Sequence, residues 1–157
     1  MSIPYQRTLA SNASLEGTSL HTGEKVTLTM KPAPPNHGIV FRRIDLEDMP
    51  FIPANVDNVQ QVERATTLAV GSVKVHTVEH VISALAGMEI DNALIEMDAN
   101  EPPIGDGSAA PYVRCIKEAG IVEQEELASV FEIREPIHYE NENGSIITII
   151  PLSLIHI

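Results

Sequence analysis

Cysteine and tryptophan are nearly absent from this sequence, and the shortage of cysteine excludes several kinds of site. The 157 residues include a single cysteine, Cys115, and no tryptophan. One cysteine cannot form an internal disulfide bond or a cysteine-based zinc cluster, and such sparse use is consistent with a reducing compartment. We therefore expect a cytoplasmic protein in which Cys115 is an inert thiol of the hydrophobic core.

Positive charge is scarce as well. The chain has 10 Lys and Arg residues against 22 Asp and Glu residues, which gives a formal net charge of -12 at pH 7. Such a chain repels a phosphate backbone, so we expect no nucleic-acid partner. The sequence also lacks the apolar stretch of about 18 residues that a transmembrane helix needs, and its N-terminus lacks the apolar core of a signal peptide.

Aliphatic residues, by contrast, are frequent enough to form a core. Hydrophobic residues make up 43% of the chain and aromatic residues only 4%, and a chain of this length forms one domain or two very small ones. The apolar spacing predicts strands over 25–30, 39–44, 65–70, 73–75, 93–97, 130–139 and 145–150 and helices over 78–86 and 109–119. We predict an α+β fold, a two-layer sandwich in which both helices pack on one face of a mainly antiparallel sheet.

Individual residues mark the ends of these elements. Thr77 is the predicted N-cap of the first helix, and Gly87 is placed to end it. Pro111 suits the first turn of the second helix and Gly120 its end. Turns are predicted at 71–72, between two short strands, and at 141–144, inside a C-terminal hairpin.

The strongest local signal for chemistry is the run His76-Thr77-Val78-Glu79-His80. If His76 were helical, the run would match the inverted zincin pattern HxxEH, in which two histidines bind zinc and the glutamate activates water. If the helix starts after His76, only Glu79 and His80 act, and further ligands must come from elsewhere because catalytic zinc needs about three. In a third interpretation His80 is a hydrogen-bonded core residue and Glu79 a solvated helix cap.

Two further segments combine residue types that are found in active sites. His21 lies in the run Leu20-His21-Thr22-Gly23, and Asp106 begins the run Asp106-Gly107-Ser108. Both runs have a simpler explanation, because such residues form turns and cap helices through local hydrogen bonds. The sequence has no GxSxG, P-loop or GxGxxG motif, so a serine nucleophile and the common nucleotide-binding folds have no support.

Several segments occur together in an order that is more specific than any one motif. They are Gln6-Arg7-Thr8-Leu9, Gly17 to Gly23, Lys31-Pro32-Ala33-Pro34, Phe41-Arg42-Arg43, Thr77-Val78-Glu79-His80, Ala84-Leu85-Ala86-Gly87, Ile90-Asp91-Asn92 and Asp106-Gly107-Ser108-Ala109-Ala110-Pro111. In this order they resemble the UDP-3-O-acyl-N-acetylglucosamine deacetylase family, the zinc enzymes of lipid A synthesis. The resemblance extends over nearly the whole chain, to about Pro151.

The resemblance implies two similar domains with the active site between them, so that residues 1–127 correspond to the first domain and 128–151 to strands that lead into the second. It implies hydrolysis of the N-acetyl group of UDP-3-O-acyl-N-acetylglucosamine, with release of acetate. Peripheral contact with the inner membrane surface is compatible with this acylated substrate. The resemblance further implies that Zn2+ is the cofactor, that His80 is a zinc ligand and Glu79 the general base, and that His21 and Asp106 have supporting roles.

The C-terminal end departs from the family pattern. The family's other two zinc ligands form an HxxxD motif in the second domain, which also holds the proton-donating histidine, and neither His138 nor His156 stands in such a context. The tail over 152–157 leaves the pattern too, so we expect a truncated chain that is inactive and binds zinc poorly by itself. The alternative functions are a non-catalytic domain for sugar-nucleotide binding or assembly and, on the HxxEH pattern, an inverted zincin metallopeptidase.

Overall fold

The structure, a computed structural model, describes residues 3–151. The strands are β1 (Tyr5–Leu9), β2 (Ala13–Thr18), β3 (Lys25–Pro32), β4 (Ile39–Arg43), β5 (Phe51–Pro53), β6 (Val59–Gln61), β7 (Thr67–Val70), β8 (Val73–Val75), β9 (Ala93–Met97), β10 (Ile121–Leu127), β11 (Ile137–Glu140) and β12 (Ile146–Ile149), and the helices are α1 (Glu79–Gly87) and α2 (Ala110–Ala119). The largest sheet has the order β2-β3-β9-β4-β5. Smaller sheets are formed by β6-β7-β8, by β1 with β10, and by β11 with β12.

One face of the five-stranded sheet is buried together with both helices. Alternate residues of β3 and β9 are buried, namely Val26, Leu28 and Met30 in β3 and Ala93, Ile95 and Met97 in β9. This alternation is typical of a sheet with one covered face. Neighbouring strands of this sheet are antiparallel except for β4 and β9, which run parallel. The predicted α+β sandwich with a mainly antiparallel sheet is confirmed.

Each helix contributes an apolar stripe to the shared core. The buried residues are Val81, Ala84 and Leu85 in α1 and Pro111, Tyr112 and Ile116 in α2. Residues three or four positions apart lie on one side of a helix, which explains this selection. Pro111 lies in the first turn of α2 and Gly120 ends the helix with a φ of 79°, both as predicted. Within residues 3–151 neither helix is long and apolar enough to cross a membrane.

The predicted N-cap of α1 is wrong. Val78 occupies the cap position and makes no side-chain cap hydrogen bond. Thr77 is buried, has a left-handed φ of 54°, and donates its hydroxyl hydrogen bond to Oε1 of Glu101 at 2.7 Å. The Thr77 side chain therefore makes a long-range hydrogen bond with Glu101. It does not accept a hydrogen bond from the N–H groups at the start of α1.

The strand predictions are confirmed for β3, β4, β9 and the β7–β8 hairpin. In that hairpin Val70 pairs with Val73, and Gly71 adopts the positive φ of 60° that the tight turn requires. The strands β3 and β4 are not neighbours, because β9 lies between them. The apolar spacing did not predict the strands β1, β2, β5, β6 and β10.

The C-terminal hairpin is shorter than predicted. Its first strand, β11, begins at Ile137 instead of residue 130, and it pairs with β12 from Ile137 opposite Ile149 to Glu140 opposite Ile146. All residues of both strands are exposed, including three isoleucines of β12. The predicted off-pattern tail, 152–157 with His156, lies outside the described residues. The strand β10 ends at Leu127, which pairs with Tyr5 of β1.

A buried polar network ties β1 to β9 and β10. The side-chain amide of Asn92 donates to Oε1 of Gln6 at 2.8 Å and to Oε1 of Gln124 at 2.7 Å. The hydroxyl of Thr8 donates to the backbone carbonyl of Asn92 at 2.7 Å. Because a buried polar group left without a partner costs about 1–3 kcal/mol, these contacts explain why polar residues stand at buried positions of the segments 6–9 and 90–92.

A second polar contact joins the end of β4 to the β7–β8 hairpin. The guanidinium of Arg43, which is buried, donates to both carboxylate oxygens of Asp45, at 2.8 and 2.5 Å, and to the backbone carbonyl of Lys74 at 2.9 Å. The hydrogen bonds from Arg43 lower the pKa of Asp45 from its ordinary value of 3.8, against the opposing effect of burial. Arg43 therefore fastens the hairpin that precedes α1 to the main sheet.

We predict that Asp45→Asn destabilises the protein by about 1–2 kcal/mol at pH 7, because two hydrogen bonds lose their charged acceptor. The pKa of Asp45 is lower in the folded than in the unfolded chain, so its contribution is present above its ordinary pKa and disappears as the pH falls below it. Urea unfolding at several pH values measures this. The control is Asp48→Asn on the same exposed loop, and an equal effect of both substitutions would contradict the prediction.

Candidate functional site

The segment from His76 to Glu79 is held from two sides by backbone contacts. The N–H of His76 donates to the carbonyl of Asn100 at 2.8 Å, and the N–H of Val78 donates to the carbonyl of Thr66 at 3.3 Å. Val78 itself is buried with no exposed surface. The connection between β8 and α1 is thus fixed between residue 66, which precedes β7, and residue 100, which follows β9.

Glu79 and His80 are the first two residues of α1, and both side chains are half-buried. One carboxylate oxygen of Glu79, Oε2, accepts a hydrogen bond of 3.0 Å from the backbone N–H of Thr66. This contact fixes the orientation of the carboxylate relative to the sheet formed by β6, β7 and β8. A carboxylate and an imidazole therefore stand next to each other at the start of a helix, where both remain partly open to solvent.

The HxxEH pattern does not form a helical pair of histidines. His76 follows β8, which ends at Val75, and the left-handed Thr77 separates it from α1. The inverted zincin arrangement requires both histidines on one helix face. The single-helix interpretation is therefore wrong for this chain, and Glu79 with His80 remains the pair to consider.

Glu101, which sequence analysis did not single out, is the most highly connected carboxylate of the region. Its side chain is fully buried. The backbone N–H groups of His21 and Thr22 donate to Oε2 at 2.9 and 3.1 Å, while Nδ1 of His21 and the hydroxyl of Thr77 donate to Oε1 at 2.8 and 2.7 Å. Burial by itself raises the pKa of Glu101, but these hydrogen bonds outweigh it and the pKa is lowered. Glu101 is therefore a buried, fully hydrogen-bonded anion.

A cavity of about 270 Å³ opens beside Glu101. It is lined by His21, Thr22, Gln61, Glu63, Ala65, Thr67, His76, Asn100 and Glu101. Nδ1 of His76 shares a hydrogen bond of 3.0 Å with the hydroxyl of Thr67. The side-chain oxygen of Asn100 is buried and has no hydrogen-bond partner among residues 3–151. The structure thus brings His21 and His76 to one cavity, whereas Glu79 and His80 lie on the adjoining helix.

Burial lowers the pKa of His76 from its ordinary value of 6.5. The negative charge of Glu101 opposes this shift, and the positive charges of Lys74 and Arg43 strengthen it. The shift favours the neutral form of the His76 imidazole, whose Nδ1 shares a hydrogen bond with Thr67.

Asp106 is placed elsewhere, and its contacts are local. It is exposed, and its Oδ1 accepts hydrogen bonds from the backbone N–H and the hydroxyl of Ser108 at 3.0 and 2.7 Å. The hydroxyl oxygen of Ser108 in turn accepts from the N–H of Ala110 at 3.1 Å. The hydrogen bonds from Ser108 lower the pKa of Asp106. These contacts support the interpretation of the segment as a turn that prepares the start of α2.

His138 and Cys115 do not belong to a metal-binding group among the described residues. Across the described part of the chain, no group of three or more His, Cys, Asp or Glu side chains is arranged to hold a metal ion. His138 lies on exposed β11 with Nδ1 2.9 Å from the hydroxyl of Thr148. Cys115 is half-buried in α2, where burial raises the pKa of its thiol, consistent with an inert residue.

Comparison with known proteins yields one family and many relatives. The family model described as "LpxC: UDP-3-O-acyl N-acetylglycosamine deacetylase" matches residues 6–157. The chain is 48% identical over 149 residues to a Chlorobaculum tepidum protein named bifunctional enzyme LpxC/FabZ, covering 94% of this chain and 32% of that protein. It is 49% and 52% identical to proteins of Saccharophagus degradans and Myxococcus xanthus, both named UDP-3-O-acyl-N-acetylglucosamine deacetylase, covering 89% and 84% of this chain and 46% and 42% of those proteins. The chain therefore spans only a third to a half of the length of these relatives.

We predict that His76 titrates below pH 6.5 and that Lys74→Met raises its pKa, because the substitution removes one of the positive charges that disfavour protonation. Methionine retains most of the apolar stem of lysine. NMR titration of the histidine ring signals measures this directly. The control is Lys117→Met on the exposed side of α2, and a His76 midpoint at or above 6.5 in the unsubstituted protein would show the prediction to be wrong.

Proposed function

The chain belongs to the UDP-3-O-acyl N-acetylglycosamine deacetylase family, and from this premise we propose that it forms the first part of an enzyme that deacetylates a UDP-linked, acylated N-acetylglucosamine. The observation that carries the proposal is the pair Glu79 and His80, adjacent in the first turn of α1 and partly open to solvent. The carboxylate of Glu79 is already oriented by the N–H of Thr66. In this proposal Glu79 is the base and His80 is a metal ligand, and the two are neighbours at the start of one helix.

The family is one of metalloenzymes, and we propose that the metal is zinc. The imidazole of His80 suits zinc as one ligand, but a catalytic site needs about three protein ligands and an open position. No further ligand set accompanies His80 within residues 3–151. We therefore propose that His80 contributes to a shared centre whose other ligands come from a part of the full-length protein outside this chain. The greater length of the relatives supports this.

The reaction assigned to this centre is hydrolysis of an acetamide. Zinc, when bound, supplies Lewis acidity that polarises the acetamide carbonyl and makes water more acidic. Glu79 accepts a proton on Oε1 from the water whose oxygen attacks the carbonyl carbon, while its Oε2 accepts the hydrogen bond from Thr66. Cleavage of the C–N bond then releases acetate and the glucosamine amine, which takes up a proton from an acid that we assign to the same outside part.

We propose that residues 1–127 are the first domain and that 128–151, with the exposed hairpin of β11 and β12, lead into the second. The anionic substrate requires cations, and a chain with a net charge of -12 leaves much of this task to the remainder of the protein. We further propose a cytoplasmic enzyme with peripheral contact to the inner membrane surface, where an acylated substrate is accessible.

His21 and Asp106 take supporting roles in this proposal. His21 borders the cavity next to the β8–α1 connection and is oriented by Glu101. Asp106 organises the turn before α2, which packs against α1. A non-catalytic domain for sugar-nucleotide binding or assembly is not favoured. The relatives that are about 50% identical to this chain carry the names of enzymes.

We predict that Glu79→Gln in the full-length protein lowers kcat by about 10²–10⁴-fold while zinc stays bound, because an amide accepts no proton but preserves the size of the side chain. Acetate release and metal content after gel filtration measure the two effects. His80→Ala should instead remove the metal. Glu118→Gln, on the exposed side of α2, serves as the matched control, and undiminished turnover of the Glu79 variant would refute its assignment as the base.

We predict that the 157-residue chain alone releases no acetate and binds zinc weakly, because it provides one of about three ligands. The measurement compares zinc content and acetate release of this chain with those of the full-length protein. Tight stoichiometric zinc in the short chain, lost on His76→Ala, would contradict the shared centre.

A further inference from the structure

We propose that Glu101 is a positioning residue for Glu79 and His80, acting through its hydrogen bond with Thr77; this rests on the proposed function. Glu101 and Thr77 are both buried, with 0% and 3% of their surface exposed. The hydroxyl of Thr77 donates to the carboxylate at 2.7 Å. Only Val78 separates Thr77 from the two residues assigned to the reaction.

The carboxylate of Glu101 is a rigid anchor. Its two oxygens accept hydrogen bonds from two backbone N–H groups, one imidazole and one hydroxyl. A buried anion that is satisfied on both oxygens cannot move without leaving donors or acceptors unpaired. The anchor therefore holds the turn at 21–22 and the residue before α1 in a constant relative position.

Thr77 needs such an anchor because of its backbone. Its φ of 54° is left-handed, and this region is unfavourable for a β-branched residue. Such a conformation persists only where surrounding contacts determine it. The hydroxyl bond to Glu101 and burial of the side chain supply those contacts here, and the sharp change of direction allows β8 to be followed at once by α1.

The backbone conformation of Thr77 determines the direction in which α1 begins, and therefore the orientation of Glu79 and His80. The residues on either side of Thr77 are held by Asn100 and Thr66 through the backbone N–H groups of His76 and Val78. If Thr77 returns to an ordinary φ, the first turn of α1 must rotate, and the bond between Glu79 and the N–H of Thr66 breaks. The carboxylate and the imidazole then lose their common orientation.

The experiment compares matched substitutions in the full-length protein. Thr77→Val removes the hydroxyl but preserves the shape of the side chain, and Thr77→Ser preserves the hydroxyl. Thr8→Val is the control, because Thr8 is also buried, and its hydroxyl donates to the carbonyl of Asn92 and accepts from the N–H of Ala33, with no contact to Thr77 or Glu101 among the described residues. Glu101→Gln tests the other partner. Zinc affinity by chelator competition, kcat and KM, and hydrogen exchange of the amides of residues 66 and 79–83 are measured for each variant.

We expect Thr77→Val and Glu101→Gln to weaken zinc binding and to lower kcat by about 10–100-fold, the range for residues that orient metal ligands. KM should change little, and exchange at residue 66 and in the first turn of α1 should accelerate. Thr77→Ser should restore both properties, and Thr8→Val should leave both unchanged. The effect of the combined Thr77→Val and Glu101→Gln variant should be smaller than the two separate effects taken together, because the two substitutions disturb the same contact between Thr77 and Glu101.

Faster exchange at residues 21 and 22 in Glu101→Gln, with zinc affinity and the exchange of α1 unchanged, would overturn the proposal, since Glu101 would then hold only the turn. Equal effects of Thr8→Val and Thr77→Val would overturn it as well. If Glu101→Gln does not fold, the comparison of valine and serine at position 77 decides. A full-length protein without deacetylase activity would refute the proposed function, whereas the exchange data would still test Glu101.

Discussion

A carboxylate that is buried in a protein must be surrounded by donors, and this requirement at Glu101 determines where three separate parts of the chain meet. The turn at 21–22, the connection before α1 and the segment after β9 each contribute to its hydrogen bonds. The remainder of the region depends on this junction, because the cavity beside it and the first turn of α1 are built on the same segments. Apolar packing alone would not determine these positions so closely, since hydrophobic contacts have no direction.

Two kinds of interaction position the helices and the candidate site, namely apolar packing in the core and directional polar contacts. The buried sheet face and the stripes of α1 and α2 supply most of the apolar burial, and this sets the position of each helix as a whole. Directional polar contacts then fix the β7–β8 hairpin and the start of α1. Arg43 joins the hairpin to the main sheet, and Thr66 fixes both Val78 and Glu79. The arrangement is that of a rigid scaffold that presents a helix start to solvent.

The fold class, both helices and several strands could be predicted because their apolar residues follow a period of two or of about 3.6. The edge strand β2 and the short strands β5 and β6 could not, since strands of three to six residues with at most one buried position carry little periodic signal. Thr77 was predicted to cap α1 because a threonine before a helix commonly does so. Its actual partner, Glu101, lies 24 residues further along the chain, and local sequence patterns do not indicate such a contact. Glu101 was missed for the same reason: a glutamate before two prolines predicts a loop, and nothing in its neighbourhood indicates burial.

The position of β9 between β3 and β4 has a consequence for the order of folding. The strands β3 and β4 lie at 25–43 in the chain, but they cannot be joined until residues 93–97 arrive between them. The sheet therefore has an open gap while the chain is synthesised up to α1, and the non-local pairing that closes it is inherently slow. Closing the gap also brings residues 100 and 101 to the start of α1. Completion of the sheet and assembly of the candidate site therefore depend on the same stretch of chain, residues 93–101.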